Sequence, residues 1–179
     1  EISECLVGSE MCIRDRIKSV KWFFVVLIFS SFISFSFEEE RVSAETLTVG
    51  EKAPELVLCN QTQSLDLRAG DGKYTLLSFW ASYDATSRVK NAALSKEVRD
   101  YDRIKMISVS FDHYASVYRQ AVKQDGILLP ESYVETEGAN SKAFQAYGLE
   151  NGFGNYLLDS NGVIIAKNLD AEELSSYLN

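Results

Sequence analysis

The sequence predicts an α/β sandwich, a central mixed β-sheet flanked by helices. Three observations carry that prediction. Two nearly unbroken apolar runs, residues 74–80 and 105–110, read as buried strands. Each is followed by a segment whose pattern suits a helix. Two later apolar runs flank Asp159-Ser160-Asn161-Gly162, a hairpin turn, before a last helical segment.

In chain order, residues 55–58 and 63–67 read as two short edge strands around Asn60-Gln61-Thr62. The cluster Ala69-Gly70-Asp71-Gly72-Lys73 is a turn by its glycines. Residues 74–80 follow as a central strand. Residues 87–101 carry Val89, Ala93, Leu94, Val98 and Tyr101 at helical spacing, with Lys90, Lys96, Glu97 and Arg99 between them. After the strand 105–110, residues 114–123 read as a second helix that Gly126 ends. A polar stretch, 131–140, follows Pro130, and a short helix is expected over 141–147. The hairpin strands span 156–159 and 163–166. The last helix spans 171–178, with Asp170 as N-cap and Glu172 and Glu173 in its first turn, where the helix dipole favours acids.

The leader divides in two. Met11-Cys12-Ile13-Arg14-Asp15-Arg16 resembles the in-frame translation of a transposon adapter used in sequencing libraries, so residues 1–16 are expected to be an artefact. The alternative is a genuine unstructured N-terminus. In residues 17–44, lysines precede an uncharged apolar run from Trp22 to Phe37, as in a secretory signal peptide. Cleavage is expected after Ser34-Phe35-Ser36 or after Val42-Ser43-Ala44, which better fits the small-x-small rule, and an uncleaved membrane anchor is the alternative. Residues 45–179 then form one domain, expected in the periplasm or otherwise at the cell envelope.

That domain holds 13 Lys and Arg against 19 Asp and Glu, with no basic patch. Nucleic acid and anionic lipid are poor partners for such a surface, leaving membrane contact to the leader if it stays uncleaved. Cys5 and Cys12 lie in the suspect leader, so Cys59 is the domain's single thiol and cannot form an internal disulfide. It closes the apolar run Leu56-Val57-Leu58 and is expected to be a buried small hydrophobe. A reactive or dimer-linking thiol is the alternative. His113 is the one histidine, which rules out multi-histidine metal sites and leaves any nucleophile without a base. It is expected to be an exposed loop residue. No cofactor and no metal are expected.

The segment Trp80-Ala81-Ser82-Tyr83-Asp84-Ala85-Thr86-Ser87-Arg88 joins a strand to a helix and is similar to the W-A-x-W-C-x-P-C-R site of thioredoxin-like envelope oxidoreductases of the TlpA and redoxin type. Val49-Gly50-Glu51-Lys52-Ala53-Pro54 matches that family's V-G-x-x-A-P opening, and residues 155–162 its late hairpin. The resemblance spans residues 48–178 and implies a thioredoxin-like fold. It also implies what is missing. Asp84 and Ser87 stand at the two cysteine positions, and Phe153 at the position of the family's cis-proline. Thiol exchange needs an attacking thiolate and a resolving thiol. A cis bond before Phe153 would cost about 3–4 kcal/mol, so a trans bond is expected there. Asp84, Thr86 and Ser87 read as a helix cap or as a remodelled binding site. Phe153 either packs locally or anchors a partner.

The leading expectation is therefore a redox-inactive thioredoxin-fold module of the envelope. It would bind a protein or peptide through Trp80, Tyr83, Phe153 and Tyr156, or serve as a structural subunit. The alternative is a thiol-disulfide oxidoreductase acting through Cys59.

Overall fold

The computed structural model describes residues 47–59, 63–68 and 73–178. Both leader segments, residues 60–62 and most of the turn expected over 69–73 lie outside the described residues.

The apolar run Tyr74–Trp80 forms β1, buried along almost its whole length. Residues Ala85–Glu97 form α1, extended by a 3-10 turn at Val98–Asp100. Then come β2 (Ile104–Ser110), α2 (Ala115–Asp125), β3 (Glu131–Val134) and α3 (Lys142–Ala146). The hairpin strands β4 (Asn155–Leu158) and β5 (Ile164–Lys167) precede α4 (Ala171–Leu178). One five-stranded sheet runs β3-β2-β1-β4-β5. β1 is parallel to β2, and β2 to β3, while β4 is antiparallel to both β1 and β5. The sheet is mixed, as expected.

Alternation along the central strands sorts the core into two faces. Leu77 and Phe79 of β1 join Ile107 and Val109 of β2 on one face, under α3 and the N-terminal segment. Leu76 and Met106 meet Leu94 of α1 and Leu174 and Leu178 of α4 on the other. Trp80 shares that second face and packs on Ala121 of α2.

Four expectations change. The strand pair at 55–58 and 63–67 reduces to one antiparallel bridge, Leu56 with Leu65. The polar stretch after Pro130 contains a strand, because β3 is an edge strand bonded on one side only and half-buried throughout. Its sequence, Glu-Ser-Tyr-Val, carries no continuous apolar signal. The first helix begins two residues earlier than 87, and its core face is the apolar one read from spacing only at Leu94, Val98 and Tyr101, while Val89 and Ala93 face outward. Val89 is 69% exposed, whereas Ser87, Asn91, Leu94 and Ser95 are buried. The buried face is polar because it meets polar groups on the sheet: Trp80 Nε1–H donates to Ser108 Oγ (2.9 Å), and Ser108 Oγ–H donates to Asn91 Oδ1 (3.0 Å).

Helix ends otherwise follow the sequence. Gly126 closes α2 at φ 63, a left-handed conformation that favours glycine. At α4, the Asp170 carbonyl accepts from the Glu173 and Leu174 N–H groups, and the Glu173 carboxylate accepts from the Asp170 N–H. The Asp170 carboxylate turns instead to Lys90 on α1, 2.8 Å away. The segment at residues 50–53 covers the outer edge of β5, through Gly50 N–H to the Ile164 carbonyl and Ile164 N–H to the Glu51 carbonyl, both 2.8 Å.

Candidate functional site

β1 ends at Trp80, and α1 begins at Ala85, after four intervening residues. Asp84 has the extended backbone of an N-cap, and its carboxylate accepts from the Thr86 N–H at 3.2 Å. Its carbonyl accepts the first helical bond, from Arg88 N–H at 3.0 Å. Ser87 is 5% exposed. Its hydroxyl donates to the Asp84 carbonyl (3.2 Å) and accepts from the Ala81 N–H (3.4 Å). The two positions that the resemblance gives to cysteines thus carry oxygens engaged in holding the loop and the helix start together.

A second aspartate completes this loop, and sequence reasoning missed it. Asp112, just past β2, is 2% exposed. One carboxylate oxygen accepts from the Ser82 N–H (3.1 Å) and the Ser82 hydroxyl (2.5 Å). The other accepts from the Ser110 hydroxyl at 2.7 Å. Asp112 thereby ties the loop after β1 to the end of β2. Only the register, Trp80 opposite Ser110, brings Ser82 and Asp112 together. The polar Ser110-Phe111-Asp112 at a strand end was the available signal.

Beside this cluster lies an aromatic platform. Phe153 stacks on buried Phe111 (centroids 5.7 Å, planes 21°), and Phe144 meets both rings edge-on. Tyr83 meets Phe153 edge-on at 6.3 Å and is 67% exposed. Partial burial, followed by the charges of Asp112 and Asp84, raises the Tyr83 phenol above its ordinary pKa. No cis peptide bond occurs among the described residues, so Phe153 is joined in trans. Its loop lies along the end of β1, where Phe79 N–H donates to the Gly154 carbonyl at 2.9 Å.

Two of the four aromatics expected on a binding face are not on it. Trp80 is fully buried between the sheet and α2. Tyr156 is buried too, its hydroxyl donating to the Tyr147 carbonyl at 3.1 Å. Both point inward because their strands' alternation turns them to the core. Tyr83 remains at the surface, Phe153 is half-buried against the core, and Tyr114 on the neighbouring loop is strongly exposed.

Cys59 also departs from its expected place. It is exposed, since the two-residue period that sends Leu56 and Leu58 inward turns Val57 and Cys59 outward. Its thiol lies 3.4 Å from Thr136 Oγ1, and its N–H donates to fully buried Glu135 at 2.7 Å. The other Glu135 oxygen accepts from the Glu137 N–H, so this carboxylate clamps two segments together. His113 is exposed, as expected, with its ring against Gly138, where an added Cβ would lie 2.8 Å from Cε1. Among the described residues, no three His, Cys, Asp or Glu side chains are grouped to hold a metal ion.

Comparison with solved structures finds close relatives. A thioredoxin-like protein from Parabacteroides distasonis is 37% identical over 73% of this chain and 94% of its own, with a TM-score of 0.67. A thiol-disulfide oxidoreductase from Bacteroides fragilis is 26% identical over 72% of this chain and 97% of its own, with a TM-score of 0.57. The thioredoxin domain of a thiol-disulfide oxidoreductase from Bacteroides vulgatus, 22% identical over 74% of this chain and 99% of its own, shares the fold at a TM-score of 0.60. No protein-family model and no curated protein matches the chain.

Proposed function

The chain belongs to the thioredoxin-like family, and we propose that it serves there as a redox-inactive module of the cell envelope that binds a protein or peptide segment. One observation carries this reading. At the strand-to-helix junction both reactive positions hold oxygens already committed to structure, Asp84 as helix cap and Ser87 as loop tie. A carboxylate can occupy a helix N-terminus as a thiolate would, since both are anions favoured by the dipole and free N–H groups. It has no sulfur to exchange. Tyr83 and Phe153 then offer the binding surface, with ring area at small entropic cost. Export through residues 17–44 belongs to the same proposal and rests on their signal-like pattern. Insulin reduction with a dithiol donor tests the negative half: the expected rate equals the uncatalysed one, and turnover that Cys59→Ser abolishes would overturn the proposal.

The exposure of Cys59 favours a second reading, thiol chemistry through that residue. Labelling of the native protein should modify Cys59 promptly, and Cys59→Ser should lose that increment. Exposure alone gives an accessible thiol. The oxidoreductase reading needs in addition a mixed disulfide with a partner, visible on non-reducing electrophoresis and lost in Cys59→Ser.

A further inference from the structure

The end of the sheet that carries Tyr83 is one-sided in charge. Four loops meet there: residues 81–84 after β1, 111–114 after β2, 135–141 after β3, and 148–154 before antiparallel β4. They contain Asp84, Asp112, Glu135, Glu137 and Glu150, and no lysine or arginine. Arg88, in the first turn of α1, is taken up by a two-pronged pair with Asp125, at 2.7 and 2.8 Å, and Lys142 follows the third loop as the first residue of α3. Asp112 and Glu135 are buried and hydrogen-bonded. Besides tying the loops together they add to the negative potential there, which low-dielectric surroundings screen weakly. Asp84 is only partly buried, and Glu137 and Glu150 are exposed.

Into this field projects the Tyr83 ring, steadied on one side by Phe153 and acted on by both Asp84 and Asp112. An exposed aromatic ring beside carboxylates attracts an ammonium or guanidinium group twice, through its π face and through the charges. It disfavours an acidic partner, because like charges repel and a carboxylate gains nothing from the ring face.

Resting on the peptide-binding reading above, we propose that the segment docking at Tyr83 and Phe153 is basic, with a lysine or arginine side chain set over Tyr83 beside Asp84. Its apolar neighbours would lie on Phe153. Charge complementarity identifies the partner, and the aromatic platform locates it.

Fluorescence polarisation of the full chain with a blocked, lysine-rich peptide containing one phenylalanine, against its glutamine counterpart, tests this. The lysine peptide should bind at least about fivefold more tightly. Raising salt from about 0.05 to about 0.3 M should erase most of that margin. Asp84→Asn should also erase it, since asparagine caps a helix as well as aspartate and removes only the charge. Tyr83→Ala should weaken the lysine peptide several-fold. Equal binding of the two peptides at low salt, or an unchanged margin in Asp84→Asn, would overturn the charge preference while leaving a peptide-binding face in place. Binding of neither peptide would remove both proposals together.

Discussion

Asp84 and Asp112 flank the same loop, yet their surroundings make them respond differently to substitution. Asp84 is a partly exposed N-cap with one side-chain bond, to the Thr86 N–H. Asp84→Ala should cost about 1 kcal/mol and Asp84→Asn close to nothing, measured by urea unfolding. Asp112 accepts three bonds in a buried site. Removing it strands the Ser82 and Ser110 donors, so Asp112→Ala should cost about 3 kcal/mol. Tyr147 illustrates a third case. Its buried hydroxyl donates to the Pro54 carbonyl at 2.7 Å, and burial raises its pKa far above the ordinary 10. It pins the V-G-x-x-A-P segment to the core. Asp84 as a cap was legible from residue type and position. Asp112 was not, because its partners arrive from another strand.

At the scale of elements, α1 separates pattern from packing. Spacing alone assigns Val89 and Leu94 to one apolar face, yet Leu94 is buried and Val89 exposed. Leu94→Ala should therefore cost about 3 kcal/mol in unfolding free energy, within the usual range for a core leucine. Val89→Lys should change stability by less than about 0.5 kcal/mol. Equal costs at the two sites would contradict this placement. The misreading has a physical source: the helix packs Ser87, Asn91 and Ser95 against a sheet face that itself carries Ser108. Hydrophobic periodicity cannot see a core face that carries small polar residues, where Asn91 Oδ1 accepts from the sheet and the Ser87 and Ser95 hydroxyls bond within their own segment. β3 was hidden for a related reason, since a four-residue edge strand needs little apolar content when one side remains wet.

Across residues 47–178 the β4–β5 hairpin links β1 to the covered edge of the sheet, and one titration reports on its turn. Asp159 accepts from the Asn161 and Val163 N–H groups at 2.8 and 2.9 Å, bracing the β4–β5 turn. Those bonds, Val163 first, hold its folded pKa below the ordinary 3.8. A carboxylate depressed in the folded state stabilises fully above its unfolded pKa, and that contribution is lost as pH falls through the folded value. The urea midpoint should therefore drop between about pH 5 and about pH 3, and Asp159→Asn should show a smaller drop over the same window. An identical drop in both proteins would place the acid sensitivity elsewhere.

Local sequence alone was enough for the order of the elements apart from β3, for the hairpin, for the Asp84 and Gly126 helix ends and for the family likeness. These rest on local pattern and on residue types whose backbone preferences are nearly independent of context. It also determined that the strand-to-helix junction holds Asp84 and Ser87 where thiols would be. Tertiary structure decided which of those residues meet. It drew Trp80 and Tyr156 into the core, left Tyr83 outside and set Phe153 half-buried at the core's rim. It turned Cys59 to the surface, and it set Asp112 under Ser82. Such outcomes depend on strand register and sheet face, which bring together residues far apart in the chain, and no local pattern encodes a distant partner.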